Sequence, residues 1–199
     1  MNKLAKVAGL FLLYFCFAFI TPAGKKTIVI DAGHGGDDHG VAHNDLTEKE
    51  LVHQIAEKIK SLNGGNNLDI ILLREDDSYI SLNDRVQKIN SLKPDLLISL
   101  HINYSQDRHD HGISAFVSKS NIHYSSSLEQ AENMITALSG GKLAKLEVKD
   151  ANLYVLSHTT CPGLLLELGY MTNANDRNYL ASEAGQAEIA RKIVDCLQQ

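Results

Sequence analysis

From Lys25 onward, short β-branched or leucine-rich runs alternate with segments whose apolar residues recur at helical spacing, and this alternation constrains the fold more than any other feature. Residues 27–31 form a β-branched run that stops at glycine, the signature of a short buried strand. Residues 47–62 place Leu51, Val52, Ile55, Ile59 and Leu62 on one helical face, and Asn63-Gly64-Gly65 ends that helix. The same reading predicts strands over residues 68–73, 95–101, 112–117, 152–156 and 163–168. It predicts further helices over residues 82–92, 124–138 and 183–197. Strands alternating with helices imply an α/β fold, with a mostly parallel sheet flanked by helices on both faces. A length of 199 residues suits one domain, and no internal repeat, low-complexity tract or second-domain linker is visible.

The first residues read differently. Lys3 and Lys6 precede an apolar run of about 14 residues from Val7 to Ile20, followed by Thr21, Pro22 and Ala23. This is the layout of a secretory signal peptide over residues 1–23, since a spanning helix needs ~20 apolar residues. An uncleaved N-terminal anchor is the rival reading. The domain proper is then residues 24–199, exported to the periplasm or cell envelope. Export leaves Cys161 and Cys196 where disulfides are permitted, either paired or free; they form no cysteine metal motif. The net charge of −5, with scattered Lys and Arg, gives no footprint for nucleic acid.

In open α/β sheets, ligands sit beyond the carboxyl ends of the strands, so polar groups there carry the functional argument. His34 follows the first strand within Gly33-His34-Gly35-Gly36. A phosphate cradle needs the glycine spacing of a dinucleotide loop or the Gly-Lys-Ser/Thr ending of a P-loop, and neither is present. A ligand histidine and a turn histidine without a role stay open on this stretch alone. His101 follows the third strand, directly after LLISL, where a backbone-satisfied histidine is the simpler reading. Two histidines at two strand ends can face one site.

Two acids join them. Thr47-Glu48-Lys49-Glu50 matches a capping box in which Thr47 caps and Glu50 reaches back, leaving Glu48 free at the helix mouth. There Glu48 either complements the helix dipole or serves as a ligand. Glu167 lies within CPGLLLELGYMTN, and a carboxylate in so apolar a strand is costly unless paired, coordinated or protonated. Such a setting raises a carboxyl pKa toward the range useful to a general base or acid, with a salt-bridged structural acid as the alternative. Two histidines, one carboxylate and an open fourth position form a catalytic zinc pattern, which suits hydrolysis of an amide or ester. His39, His43, His109 and His111 lie in loops that reach the same edge, so spacing alone leaves the ligand set open; His53 and His158 read as residues without a ligand role.

VIDAGHGG, the TEK segment, RVQKIN, LISLHIN and LLLELGYMTN, in this order and at these separations, resemble the zinc-dependent N-acetylmuramoyl-L-alanine amidases of the third amidase family. The resemblance runs from about Thr27 to the C-terminus. It implies a single α/β domain with a six-stranded sheet, and cleavage of the amide between N-acetylmuramic acid and the L-Ala of the peptidoglycan stem peptide. It also implies one Zn²⁺ held by His34, Glu48 and His101, with Glu167 as catalytic acid or base.

Some positions depart from that family's pattern. Ala32 stands where a proline is usual, and Val52 stands where many members carry an asparagine, so a supporting hydrogen bond is expected to be missing. Residues 118–150 have no room for the long inserted helix by which some members block their own site, which suggests activity without a releasing partner. No wall-binding repeat is present. Peptidoglycan is the expected partner of a monomeric enzyme. Two alternatives remain: a zinc hydrolase of another cell-wall bond, such as a peptidase or deacetylase, and a non-catalytic peptidoglycan-binding module.

Overall fold

The computed structural model describes residues 24–63 and 68–199; the predicted signal segment lies outside the described residues. The first strand, β1 (Lys26–Ala32), leads through a glycine-rich loop to a small hairpin of β2 (Ala42–His43) and β3 (Leu46–Thr47). Helix α1 (Glu48–Leu62), β4 (Leu68–Leu72), α2 (Leu82–Leu92), β5 (Leu96–Asn103) and β6 (Ile113–Val117) follow. Then come α3 (Tyr124–Leu138), β7 (Lys145–Asp150), α4 (Tyr154–His158), β8 (Gly163–Tyr170), α5 (Ala174–Ala181) and α6 (Glu183–Leu197).

Among the described residues the main sheet has six strands in the order β4-β1-β5-β8-β6-β7. Every neighbouring pair is parallel except β6 and β8, which run antiparallel. From β1 the chain passes through α1 to β4 on one side of β1, then through α2 to β5 on the other side. The strand order therefore reverses between β1 and β5, which is where open α/β sheets form their ligand crevice.

The two faces of the sheet are covered unequally. Ile28, Ile30, Ile98, Leu100, Leu164 and Leu166 point to one face, where they pack with residues of α1, α3 and α6 into the main core. Alternate residues Val29, Leu97 and Leu165 point to the other face, against Ile89 of α2 and Leu156 of α4. Among the described residues, an 11-residue and a 5-residue helix lie over the second face. Because the side-chain period of a strand is two, His101 and Glu167 share this thinly covered face with Leu97 and Leu165. Cys161 packs on the second face and Cys196 against the first, so the sheet stands between them and both are free.

Two expectations need correction. Residues 152–156 are not a strand: residues 154–158 form α4, while the sixth strand is β7, KLEVKD. That strand is an edge with one half-buried residue, Val148, so no apolar run announces it. Thr47 does not cap α1 with its side chain; its hydroxyl donates to Glu50 Oε2 at 2.8 Å. The first helical amides go instead to loop carbonyls, Glu48 N to Val41 O at 2.8 Å and Lys49 N to His39 O at 3.3 Å.

Candidate active site

The loop after β1 explains its glycines. Gly33 donates its amide to Leu100 O at 3.0 Å, which presses the backbone against β5 so closely that a Cβ on Gly33 would collide with the His101 ring. His34 then turns with φ of 61°, a left-handed conformation that costs a non-glycine residue about 1–3 kcal/mol and persists only when its surroundings enforce it. This turn aims the ring at α1. His34 Nδ1 lies 2.9 Å from Asp38 Oδ2, and Nε2 lies 3.0 Å from Glu48 Oε1.

Glu48 is the first residue of α1 and is almost wholly buried. Its Oε2 accepts from Val41 N at 2.9 Å and its Oε1 from Ile102 N at 3.0 Å, so two backbone amides fix the carboxylate. His101 Nδ1 lies 2.9 Å from the same Oε1. The rings of His34 and His101 meet edge to face with centroids 5.1 Å apart. One donor atom from each of His34, Glu48 and His101 lies within 4.8 Å of the others. Among the described residues this is the one group of three or more such side chains close enough to share a metal ion. His39, His43, His109 and His111 stand outside it, and the His109 side chain is 97 % exposed. His53 lies along α1 near Glu57, and His158 stacks on Tyr154, both outside that group.

Glu167 completes the cluster. It faces His101 in the register of β5 and β8, and a register shift follows between His101 and Asn103, where Gly169 takes φ of 145°. Such bulges redirect side chains next to active sites. Glu167 Oε2 is buried without a hydrogen-bond partner. Burial pushes the Glu167 carboxyl up to about 7, with the His101 charge opposing and the Glu48 charge adding. Glu48 moves the other way: burial opposes its charge, but the hydrogen bonds from His101 and His34 outweigh it and hold the carboxyl well below the usual range. Burial pulls His34 down, yet its bonds to Glu48 and Asp38 outweigh that and leave it raised. Two carboxyls in one site thus have opposite protonation tendencies, the pattern that separates a fixed anion from a proton carrier.

A cleft of about 380 Å³ opens beside His34 and His101 on the thinly covered face. Its walls are mostly apolar, with Ile80, Leu82, Leu153 and Leu165 among them, and Asp31 and Arg85 also reach it. The short α4 and the start of α2 leave this end of the sheet uncovered.

Residues 28–199 match the model of one protein family, described as N-acetylmuramoyl-L-alanine amidase. The chain belongs to this amidase family. Among its relatives, the amidase is 29% identical over 187 residues to the uncharacterized protein YqiI of Bacillus subtilis, covering 90% of this chain and 87% of that one. It is 30% identical over 176 residues to N-acetylmuramoyl-L-alanine amidase LytC of the same organism, covering 87% of this chain but only 35% of LytC. Its fold matches the catalytic domain of CwlV, the amidase of Bacillus (Paenibacillus) polymyxa, with a TM-score of 0.79 and 31% identity, covering 86% of this chain and 96% of that one.

In this amidase Val52 is fully buried in the main core, and the Glu48 oxygens are held by the amides of Val41 and Ile102. The carboxylate is oriented without help from position 52. Helix α3, which fills residues 118–150 with β7, packs its Ala131, Met134 and Ile135 into the main core, on the face opposite the cleft. Asp38 and Gly40 escaped the sequence reading. Asp38 binds the His34 ring and also accepts from Gly40 N at 3.1 Å. The signal for Asp38 was its place four residues after His34, inside a loop that has to fold back on itself.

Proposed function

We propose that this amidase hydrolyses the amide between the lactyl group of N-acetylmuramic acid and the L-Ala of the peptidoglycan stem peptide, with one zinc ion held by His34, Glu48 and His101 and with Glu167 as the catalytic base and acid. The observation that carries the reading is the His-Glu-His donor set, built on the buried Glu48 and two half-buried rings, beside a carboxyl with an unpartnered oxygen. The donors suit zinc: two imidazoles and one carboxylate, with the carboxylate held ionised, leave a fourth position of a tetrahedron for water or substrate. When bound there, zinc would polarise the amide carbonyl and ease the ionisation of water.

The chain's own groups do the rest. Glu167 accepts a proton from the attacking water and returns it to the departing amine of L-Ala, and its carboxyl near pH 7 suits both transfers. Val41 and Ile102 amides keep Glu48 from rotating away, and Asp38 fixes the ring of His34. The apolar cleft excludes water from one flank of the reacting bond. All four groups come from one chain, so a monomer suffices. With α3 seated in the core, no element of the described residues covers the site, which supports activity without a releasing partner. Low activity of the purified protein that rises on addition of a cell-envelope extract would argue against that point.

The expected place of action is the cell envelope after export, with residues 1–23 as signal peptide or anchor; LytC-like amidases and the probable cell wall amidases LytH among the relatives fit that setting.

Digestion of purified peptidoglycan tests the reading. Stem peptides with a free N-terminal L-Ala are expected, lost on chelation and restored by zinc. Free amino sugars or internally cut peptides would point instead to a deacetylase or a peptidase. Zinc content of His34→Ala and His101→Ala tests the ligands, and full retention in both would remove the site. An unchanged rate in Glu167→Ala would overturn the assigned base.

A further inference from the structure

We infer that Arg74 and Arg85 are positioning residues, a pair of buried guanidinium clamps that fix His34 and Glu48 at the separation a shared metal ion requires. RVQKIN carried part of the family resemblance without receiving a role, and Arg85 is its first residue. The inference deepens the proposed function and rests on its metal site.

Both arginines are nearly inaccessible, at 3% and 4% exposure. Two cations buried close together are costly, and one carboxylate, Asp31, is buried with them. The pair therefore calls for an explanation beyond filling space. Their donors converge on the segment that carries His34. Arg74 Nε donates to Ala32 O at 3.1 Å and Arg74 Nη2 to Gly33 O at 3.2 Å. Arg85 Nη1 donates to Ala32 O at 3.2 Å and Arg85 Nη2 to His34 O at 2.6 Å. Three successive carbonyls at the end of β1 are thus taken, at the point where the chain enters its left-handed turn at His34.

Arg74 also spans the site. The same Nη2 that meets Gly33 O donates to Lys49 O at 2.8 Å. One nitrogen therefore joins the residue before His34 to the residue after Glu48. Arg74 Nη1 and Arg85 Nε anchor the clamps themselves, to Asp76 O at 2.9 Å and Ile80 O at 3.0 Å. Asp31 receives Arg85 on one oxygen and the Ser99 hydroxyl on the other, at 3.1 Å. A planar fork of five donors can hold carbonyls on separate segments at fixed angles, whereas an ammonium offers three donors from a single point.

The test measures zinc affinity by competition with a chromogenic chelator, for the full chain and for its Arg74→Lys and Arg85→Lys variants. Each substitution keeps the charge and removes the fork. Folding is checked by circular dichroism, and affinities are read well below the melting temperature, where loss of global stability does not alter binding by folded molecules. The expected result is zinc binding weakened about 10- to 100-fold in the folded variants, the range seen when groups that orient metal ligands are lost. The visible spectrum of the cobalt-loaded variants should change as well, since the ligands then sit at altered angles. If the parent chain binds no zinc, the proposed metal site fails and the clamp fails with it. If the parent binds zinc and either folded variant binds it within twofold as tightly, the clamp alone is overturned. If neither variant folds, the arginines hold the domain together rather than the site, and the inference falls on that result too.

Discussion

Glu167 stands opposite His101 in the parallel ladder between β5 and β8. Both residues lie on the face that α2 and α4 cover only in part, so the proposed proton carrier and the proposed metal-ligating ring stand on adjacent strands. Rigid strands hold such a pair more tightly than loops do.

The substitution Glu167→Gln should separate catalysis from stability. Activity is expected to fall about 10²- to 10⁴-fold, as for the loss of a general base, with zinc content unchanged. Burial lifts this carboxyl from 4.5 to about 7. The raised value favours the folded state fully below the unfolded value, and that favour is lost as pH rises through about 7. In chelator-treated protein the variant should therefore gain stability over the parent as pH rises from 4.5 toward 7, by up to about 3 kcal/mol above that. Urea titrations at several pH values check this, and parallel curves for the two proteins would contradict it.

Acid should strip the metal through His34. Its bonds to Glu48 and Asp38 raise it above 6.5 against the pull of burial, and a metal ligand must be a neutral imidazole. Zinc affinity is expected to fall as pH drops through that raised value. Asp38→Asn removes one of the bonds that raise it, so the release midpoint should shift to lower pH. Zinc release followed against pH with a chromogenic chelator reads both midpoints; coincident curves would show that Asp38 does not tune the ring.

Gly40 is a packing constraint on the site. It sits at φ of 63°, and an added Cβ would come within 2.5 Å of Glu48 Oε2 and 2.6 Å of His34 Cδ2. Gly40→Ala should cost about 1–3 kcal/mol through backbone strain, and it should also lower zinc content by pushing two ligands apart. Metal analysis beside a thermal melt gives both values, and a stable variant with full zinc would refute the constraint.

The buried pair of Asp31 and Arg85 should dominate the local stability. Asp31→Ala leaves the guanidinium buried without its carboxylate, and breaking such a pair costs about 3–5 kcal/mol. Chemical denaturation measures the loss; a change below about 1 kcal/mol would mean that solvent reaches Arg85 when Asp31 is removed.

The central strands and long helices were legible because their apolar period is strong: residues 124–138 and 183–197 became α3 and α6 with the expected ends. The candidate site was legible because His34, His101 and Glu167 break that pattern at strand ends, where an α/β sheet presents its ligands, and the structure brings these residues together. What escaped lacks such contrast. Strand β7, KLEVKD, sets Leu146 and Val148 among charged residues and buries neither fully. Helix α5 is a polar stretch started by Asn173, whose side chain accepts from Asn175 N and Asp176 N. LYVL in residues 153–156 is apolar because it caps a cleft wall rather than because it is a strand. The roles of Arg74 and Arg85 depend on which carbonyls the turn leaves free, and no spacing in the sequence encodes that.

Cys161 and Cys196 lie on opposite faces of the sheet, and burial pushes the Cys161 thiol up to about 11, where it is a poor nucleophile. No disulfide joins the described residues, so non-covalent contacts hold the domain in its native state. Oxidation of Cys161 to Cys196 is then no step in the maturation of residues 24–199, and refolding of that segment in dithiothreitol should yield the same protein as refolding in air.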